Sequence, residues 1–277
     1  MANLYNKFVI PPLTENIVSC LSSIYKNEFI IDNMVEKIAR DIGLFNKILL
    51  IANSQRYGQG VQTNDLKQAI VRIGIINLTL VLTSEYYTKY TSIEEIGFFN
   101  LKQFNLHSSC VSRFAFEIAK IINLPTLHDV TLAAAFHDLG LLARAILHKD
   151  IMKNLVEKCT QDKIHFHKAE MELNITSHEI IGADILSEWG LNKNIILLVR
   201  NHHTKESVRS SDTDYLEKEF IVLELADILA HRISCGFEGY TRDIRVNMML
   251  IDRLGISKDK IVELIKIVNH SMNSFGF

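Results

Sequence analysis

The stretch LKQFNLHSSCVSRFAFEIAKII, residues 101–122, sets the reading of the fold. Phe104, His107, Val111, Phe114, Ile118 and Ile121 recur at spacings of three and four, which places them on one face of an α-helix. Neither proline nor glycine interrupts the run. The stripe is apolar apart from His107, so this imidazole points toward the core.

The same periodicity extends in both directions. The 277 residues contain only three prolines, Pro11, Pro12 and Pro125, and 12 glycines. So few breakers in a chain of this length predict an all-α, multi-helix fold. A first helix is expected from Thr14, with Ile17, Val18, Leu21 and Ile24 inward. A second follows Asp32 as N-cap, with Met34, Val35 and Ile38 inward, and a third spans Leu44 to Asn53. Residues 54–64 read as a polar loop. Helices from Asp65 to Gly74 and on to about Tyr87 come next. The segment 90–100 reads as a hinge dividing the chain into an N-terminal helical part, 1–95, and a second helical part, 96–277. Pro125 turns the chain into a single helix over Leu127–Leu147. The charged segment 162–172 is expected to be exposed. Further helices are expected near 177–189, 193–203, 216–234, 243–254 and 257–273.

Composition narrows the function classes. Lysines and arginines number 30 against 32 acidic residues, so no basic surplus exists to neutralise nucleic-acid phosphates. Hydrophobic residues make up 48%, enough for a sizeable core. Cys20, Cys110, Cys159 and Cys235 are far apart and form no CxxC pair, which points to buried reduced thiols. The N-terminus lacks a signal-peptide pattern, and the most apolar run, Ile73 to Leu82, is short for a membrane span. These features describe a cytoplasmic protein with no nucleic-acid or membrane partner.

Histidines and aspartates stand where apolar residues are expected. His137-Asp138 ends the apolar run AAAF, and a buried imidazole and carboxylate each need a partner. His178 lies in the first turn of a helix whose start reads as a capping box, Thr176-x-x-Glu179. His202-His203 closes the helix that carries Ile195, Ile196 and Val199. Asp227 interrupts the stripe Phe220, Leu223, Ala230. Taken singly, each has an ordinary explanation in a hydrogen bond, a cap or a helix dipole. Together they offer nitrogen and oxygen donors on several helices, the way helical bundles build sites for Fe, Mn, Zn or Ni.

The order His107, His137-Asp138, His178, His202-His203, Asp227 resembles the HD superfamily of metal phosphohydrolases, and most fully its two-metal HD-GYP branch. The N-terminal half resembles the HDOD family of signalling domains. The carrying residues are Pro11-Pro12-Leu13, Asp41 to Leu44, Ile48 to Ser54, Tyr57-Gly58 and Ala69-Ile70-x-x-Ile73-Gly74, with the likeness running over about residues 8–205. The resemblance implies one divalent ion held by His107, His137, Asp138 and Asp227. Asp138 would bridge to a second ion held by His178, His202 and His203. It also implies a signalling role with a protein partner, or hydrolysis of a nucleotide or cyclic dinucleotide. The chain departs from the HD-GYP pattern at Leu141, where that branch has lysine. It departs again after His203, where Thr204 to Ser211 contain neither glycine nor proline. In the N-terminal half, Asp41-Ile42 replaces the usual aspartate-proline step.

Overall fold

A computed structural model describes residues 15–25, 29–55, 57–58, 60–89, 99–233, 235 and 247–274. Among these residues the fold is all-α, without strands. The helices are α1 (Glu15–Tyr25), α2 (Ile31–Ala39), α3 (Ile42–Ala52), α4 (Leu66–Lys89), α5 (Leu101–Ile121), α6 (Leu127–Phe136) and α7 (Leu139–Leu147). They continue as α8 (Lys149–Asp162), α9 (Phe166–Glu172), α10 (His178–Glu188), α11 (Lys193–Arg200), α12 (Glu217–Arg232), α13 (Met248–Leu254) and α14 (Lys258–Ser274).

The stripe in 101–122 forms α5, the central helix, which packs against α4, α6, α12 and α14. Phe104, His107, Val111, Phe114 and Ile118 are all buried, as their spacing requires. Around α5 the apolar core is continuous from Ile17 in α1 to Met272 in α14. Tyr87 fastens α4 to this centre. Its hydroxyl donates to the Ala135 carbonyl at 2.6 Å, and its ring meets Phe104 edge-on. Asp129 in α6 accepts from Asn192 (2.8 Å) and Asn194 (2.7 Å), fixing the start of α11 against α6.

Near the N-terminus, the residues that carry the family likeness have plain structural work. Asp41 caps α3 by accepting from the Leu44 amide at 3.1 Å. The Asn53 side chain both donates to and accepts from the Thr63 backbone, at 2.8 Å each, and so closes the loop after α3. At Gly74 the backbone takes φ 76° and ψ 165°, a break inside α4 that favours glycine.

Several boundaries differ from expectation. α2 starts at Ile31 with Ile30 at the cap position, and Asp32 sits in the first turn, paired with Lys67 at 2.6 Å. α3 starts at Ile42, and α13 only at Met248. The expected single helix over 127–147 is two, because the chain breaks at His137-Asp138. The Thr176–Glu179 capping box does not form. Ser177 holds the cap position, the Thr176 carbonyl accepts from Arg144, and the Glu179 carboxylate turns to His167. Segment 162–172, expected to be exposed, contains α9 with Phe166, Ala169 and Glu170 buried. The expected hinge falls mostly on residues outside those described, as do Pro11, Pro12, residues 243–246 and the Val18 side chain.

By length and composition, Leu66–Tyr87 and Leu127–Leu147 could each cross a membrane; 61% and 89% of their apolar windows are buried inside this fold. The second is densely covered because α7 presses onto α10. At Gly140 a Cβ would stand 2.1 Å from the His178 carbonyl oxygen. That contact is with backbone and cannot be relieved by a rotamer change. Gly140→Ala is therefore expected to destabilise the fold by at least about 1–3 kcal/mol, read as a lower urea midpoint. An unchanged midpoint would contradict the close approach of α7 and α10.

Candidate metal centre

The break between α6 and α7 turns His137 and Asp138 out of the apolar run and into a common space. His107 reaches it from α5, His178 from the first turn of α10, His202 and His203 from the turn after α11, and Asp227 from α12. The seven residues singled out in the sequence meet there in two adjoining groups. Asp138, His178, His202 and His203 each offer a donor atom within 4.8 Å of the others, and so do His107, His137 and Asp227.

Asp138 joins the groups. Its Oδ2 lies 3.3 Å from His137 Nε2 and 3.6 Å from His107 Nε2. Its Oδ1 faces the other way, 3.3 Å from His178 Nε2 and 3.8 Å from His202 Nε2. Asp227 Oδ1 stands 3.3 Å from His107 Nε2 and 3.9 Å from His137 Nε2. Donors bound to one ion at about 2.0–2.2 Å stand about 3 Å apart, so most of these spacings suit shared ions.

The opposite edge of each imidazole fixes its tautomer. His107 Nδ1 meets the Cys235 carbonyl at 2.8 Å, His137 Nδ1 the Ala134 carbonyl at 2.8 Å, and His202 Nδ1 the Val199 carbonyl at 2.7 Å. A carbonyl only accepts, so each Nδ1 carries a proton and donates it. His178 Nδ1 donates to Glu170 Oε2 at 2.7 Å. Four Nε2 atoms are thereby aimed inward. They come within 3.3 Å of one another in the pairs His107–His137 and His178–His202. Neutral imidazoles in this arrangement present lone pair to lone pair, so positive charge must lie between them.

In the absence of an ion, protons supply that charge. Burial disfavours the charged form of His137, but Asp138 and Asp227 outweigh it and raise its pKa to about 9. For His178, Glu170 and Asp138 outweigh burial and raise the pKa well above the usual value. His107 is pushed down by burial, and His202 is pushed to about 4 by burial and by its charged neighbours His178 and His137. Burial would raise the Asp138 carboxyl, but His137 and His178 hold it well below the usual carboxylate range. The carboxylates draw protons onto His137 and His178, and divalent ions displace such protons when they bind.

Behind His178 lies an ion pair that sequence reasoning missed. Glu170 is fully buried and accepts from both the His178 Nδ1 and, at 3.1 Å, the His178 amide. Its other oxygen accepts from Arg144, which also holds the Thr176 carbonyl. His231 was missed as well. It stands one helical turn beyond Asp227, with Nε2 3.3 Å from Asp227 Oδ1. The i,i+4 spacing Asp227-x-x-x-His231 is a signal that the sequence offered.

A model of the HDOD domain matches residues 10–205. The chain belongs to the HDOD family. This HDOD chain is 23% identical over 195 residues to an uncharacterized protein of Treponema pallidum (strain Nichols); the match spans 70% of this chain and 37% of that protein. Its fold is similar to that of an HDOD domain protein of unknown function from Geobacter sulfurreducens, with TM-score 0.75, 21% identity and 94% and 93% of the two chains covered. A candidate signal transduction protein from Marinobacter aquaeolei VT8 has TM-score 0.72 and 16% identity, with 99% of this chain and 60% of that one covered. A candidate phosphohydrolase from Shewanella amazonensis SB2B has TM-score 0.68 and 17% identity, with 96% and 92% covered.

Above the paired groups the HDOD chain opens a cleft of about 250 Å³. Leu141, Phe166, Leu223 and Ile228 give it an apolar wall, and His165, Glu224 and His231 add polar groups. No lysine or arginine is among the described residues that line it. Burial raises the pKa of Glu224, opposed by Arg209.

Glu170→Ala would leave Arg144 buried without its carboxylate and His178 without its anchor. We expect it to destabilise the fold by about 3–5 kcal/mol in urea titration, with Glu170→Gln costing less. A loss below about 1 kcal/mol for the alanine variant would show that the pair does not hold α9 and α10 together.

Proposed function

We propose that this HDOD chain is a regulatory module in signal transduction. In this reading one or two divalent ions bind beside Asp138, and the module acts on a protein partner as a ligand sensor. The observation that carries the reading is the disposition of Asp138: its two carboxylate oxygens face two separate sets of inward-aimed imidazole nitrogens. His107, His137 and Asp227 would hold the first ion, and His178, His202 and His203 the second, with Asp138 shared. Donors of this N/O kind suit Fe, Mn, Zn or Ni. The carbonyls on Nδ1 and the Glu170 carboxylate would keep the rings of His107, His137, His178 and His202 in register. Family membership supports the signalling role, as does the likeness to a candidate signal transduction protein.

A second reading, metal-dependent hydrolysis of a phosphoester, draws on the open cleft above Asp138 and on the candidate phosphohydrolase of similar fold. A bound ion would polarise a phosphoryl oxygen and lower the pKa of water. The chain's own residues would do the rest: the apolar wall would seat the non-phosphate part of a nucleotide, and His165 and His231 would face the phosphate. The cleft presents Leu141 where the HD-GYP branch has its lysine, and it is bare of lysine and arginine among the described residues. A cyclic dinucleotide, with two phosphodiesters, is poorly matched to it.

Two outcomes test these readings. Chelation should lower the melting temperature of ion-loaded wild-type protein by about 5–10 °C, the shift expected when ligand stood near a hundredfold its Kd. The shift should be smaller in Asp138→Ala, which lacks the carboxylate shared by the two groups. No chelator shift in wild-type protein loaded by elemental analysis would remove the metal from the account. Hydrolysis of cyclic di-GMP should be absent or very slow; rapid turnover by purified protein would reverse the assignment of Leu141.

A further inference from the structure

A second cluster of donors lies behind the paired centre, on the far edge of the His178 ring. His167 and Glu170 come from α9 and Glu179 from the first turn of α10, and each offers an atom within 4.8 Å of the other two. Glu170 is fully buried and Glu179 is 3% exposed. Two carboxylates this deep in a protein require compensating charge.

The compensation in view is incomplete. Arg144 and the two N–H groups of His178 serve Glu170, which uses three of its roughly four lone-pair sites. For Glu179 the nearest partner is His167, whose Nδ1 stands 3.0 Å from Oε1. That approach is not aligned as a hydrogen bond, and His167 Nδ1 is a buried atom with no hydrogen-bond partner. Glu179 Oε2 is likewise buried without one, its closest cation being His178 Nδ1 at 3.9 Å. Donor atoms about 3 Å apart that make no hydrogen bond to each other are spaced as two ligands of one ion would be. The paired centre shows the same signature: Asp227 Oδ1 lies 3.3 Å from His107 Nε2 and from His231 Nε2, yet it too lacks a hydrogen bond.

We propose that His167, Glu170 and Glu179 form a third cation site, distinct from the groups flanking Asp138, which takes a divalent transition-metal ion and clamps α9 to α10. One imidazole and two carboxylates suit zinc or manganese better than calcium or magnesium, which prefer oxygen throughout. The ion would satisfy the Glu179 oxygen that makes no hydrogen bond. It would also fix Glu170, and through it the ring of His178, so that occupancy here would be felt at the paired centre. The proposal does not depend on ions beside Asp138.

The test is zinc stoichiometry. Wild type, His167→Gln, Glu179→Gln and Asp138→Ala are dialysed against the same dilute Zn²⁺, and bound zinc is measured by elemental analysis. His167→Gln and Glu179→Gln should each bind one equivalent fewer than wild type, while Asp138→Ala should retain that equivalent. His167 is partly exposed, so its variant is expected to fold even if Glu179→Gln does not; circular dichroism checks both. If His167→Gln binds as much zinc as wild type, the cluster is an ordinary buried ion pair and the proposal is overturned. If it binds one equivalent fewer while Asp138→Ala loses none, this site stands and the paired centre fails.

Discussion

The architecture turns on one carboxylate. Asp138 sits where the chain breaks between α6 and α7, with Oδ2 toward the nitrogens of His107 and His137 and Oδ1 toward those of His178 and His202. Every other feature of the site serves that position. Backbone carbonyls of Ala134, Val199 and Cys235 take the outer protons of three rings, so the inner nitrogens have no choice of direction. Gly140 lets α7 lie against the α10 backbone and brings His178 to Asp138. Like-facing nitrogens repel unless a cation lies between them, and a low-dielectric interior sharpens that requirement.

The surrounding fold is densely packed where this requirement is strictest. α5 is buried along most of its length and carries His107 on its innermost face. Tyr87 ties α4 to the end of α6, two residues before His137, and Asp129 ties α6 to α11, the helix that precedes the turn carrying His202. The donors therefore stand on packed helices, with the cleft on one side and the Arg144–Glu170 pair on the other.

Much of this was legible in the sequence because burial imposes a period. The spacing of Phe104, His107, Val111 and Phe114 gave both the helix and the inward direction of the imidazole, and Asp227 stood out as a carboxylate in an apolar stripe. What stayed hidden was of two kinds. The break at His137-Asp138 leaves the apolar pattern of 127–147 almost unchanged, so periodicity reads it as one helix. Glu170 was masked by its surroundings: segment 162–172 is charged and reads as surface, yet one of its charges points inward to Arg144 and His178, a pairing across 26 and 8 residues that local pattern cannot register. The same held for Thr176 and Glu179, whose capping spacing is correct, although the Thr176 carbonyl is held by Arg144 and the Glu179 carboxylate lies beside His167 instead of at the helix start.

The central claim is that positive charge between the imidazole sets is carried by metal. Anomalous diffraction at the manganese edge, from crystals soaked in Mn²⁺ without chelator, addresses it directly. The account predicts an anomalous peak at Asp138 on the His107–His137 side, on the His178–His202 side, or on both, with Nε2 atoms as nearest neighbours. Soaked crystals with ordered side chains and no anomalous peak beside Asp138 would contradict it.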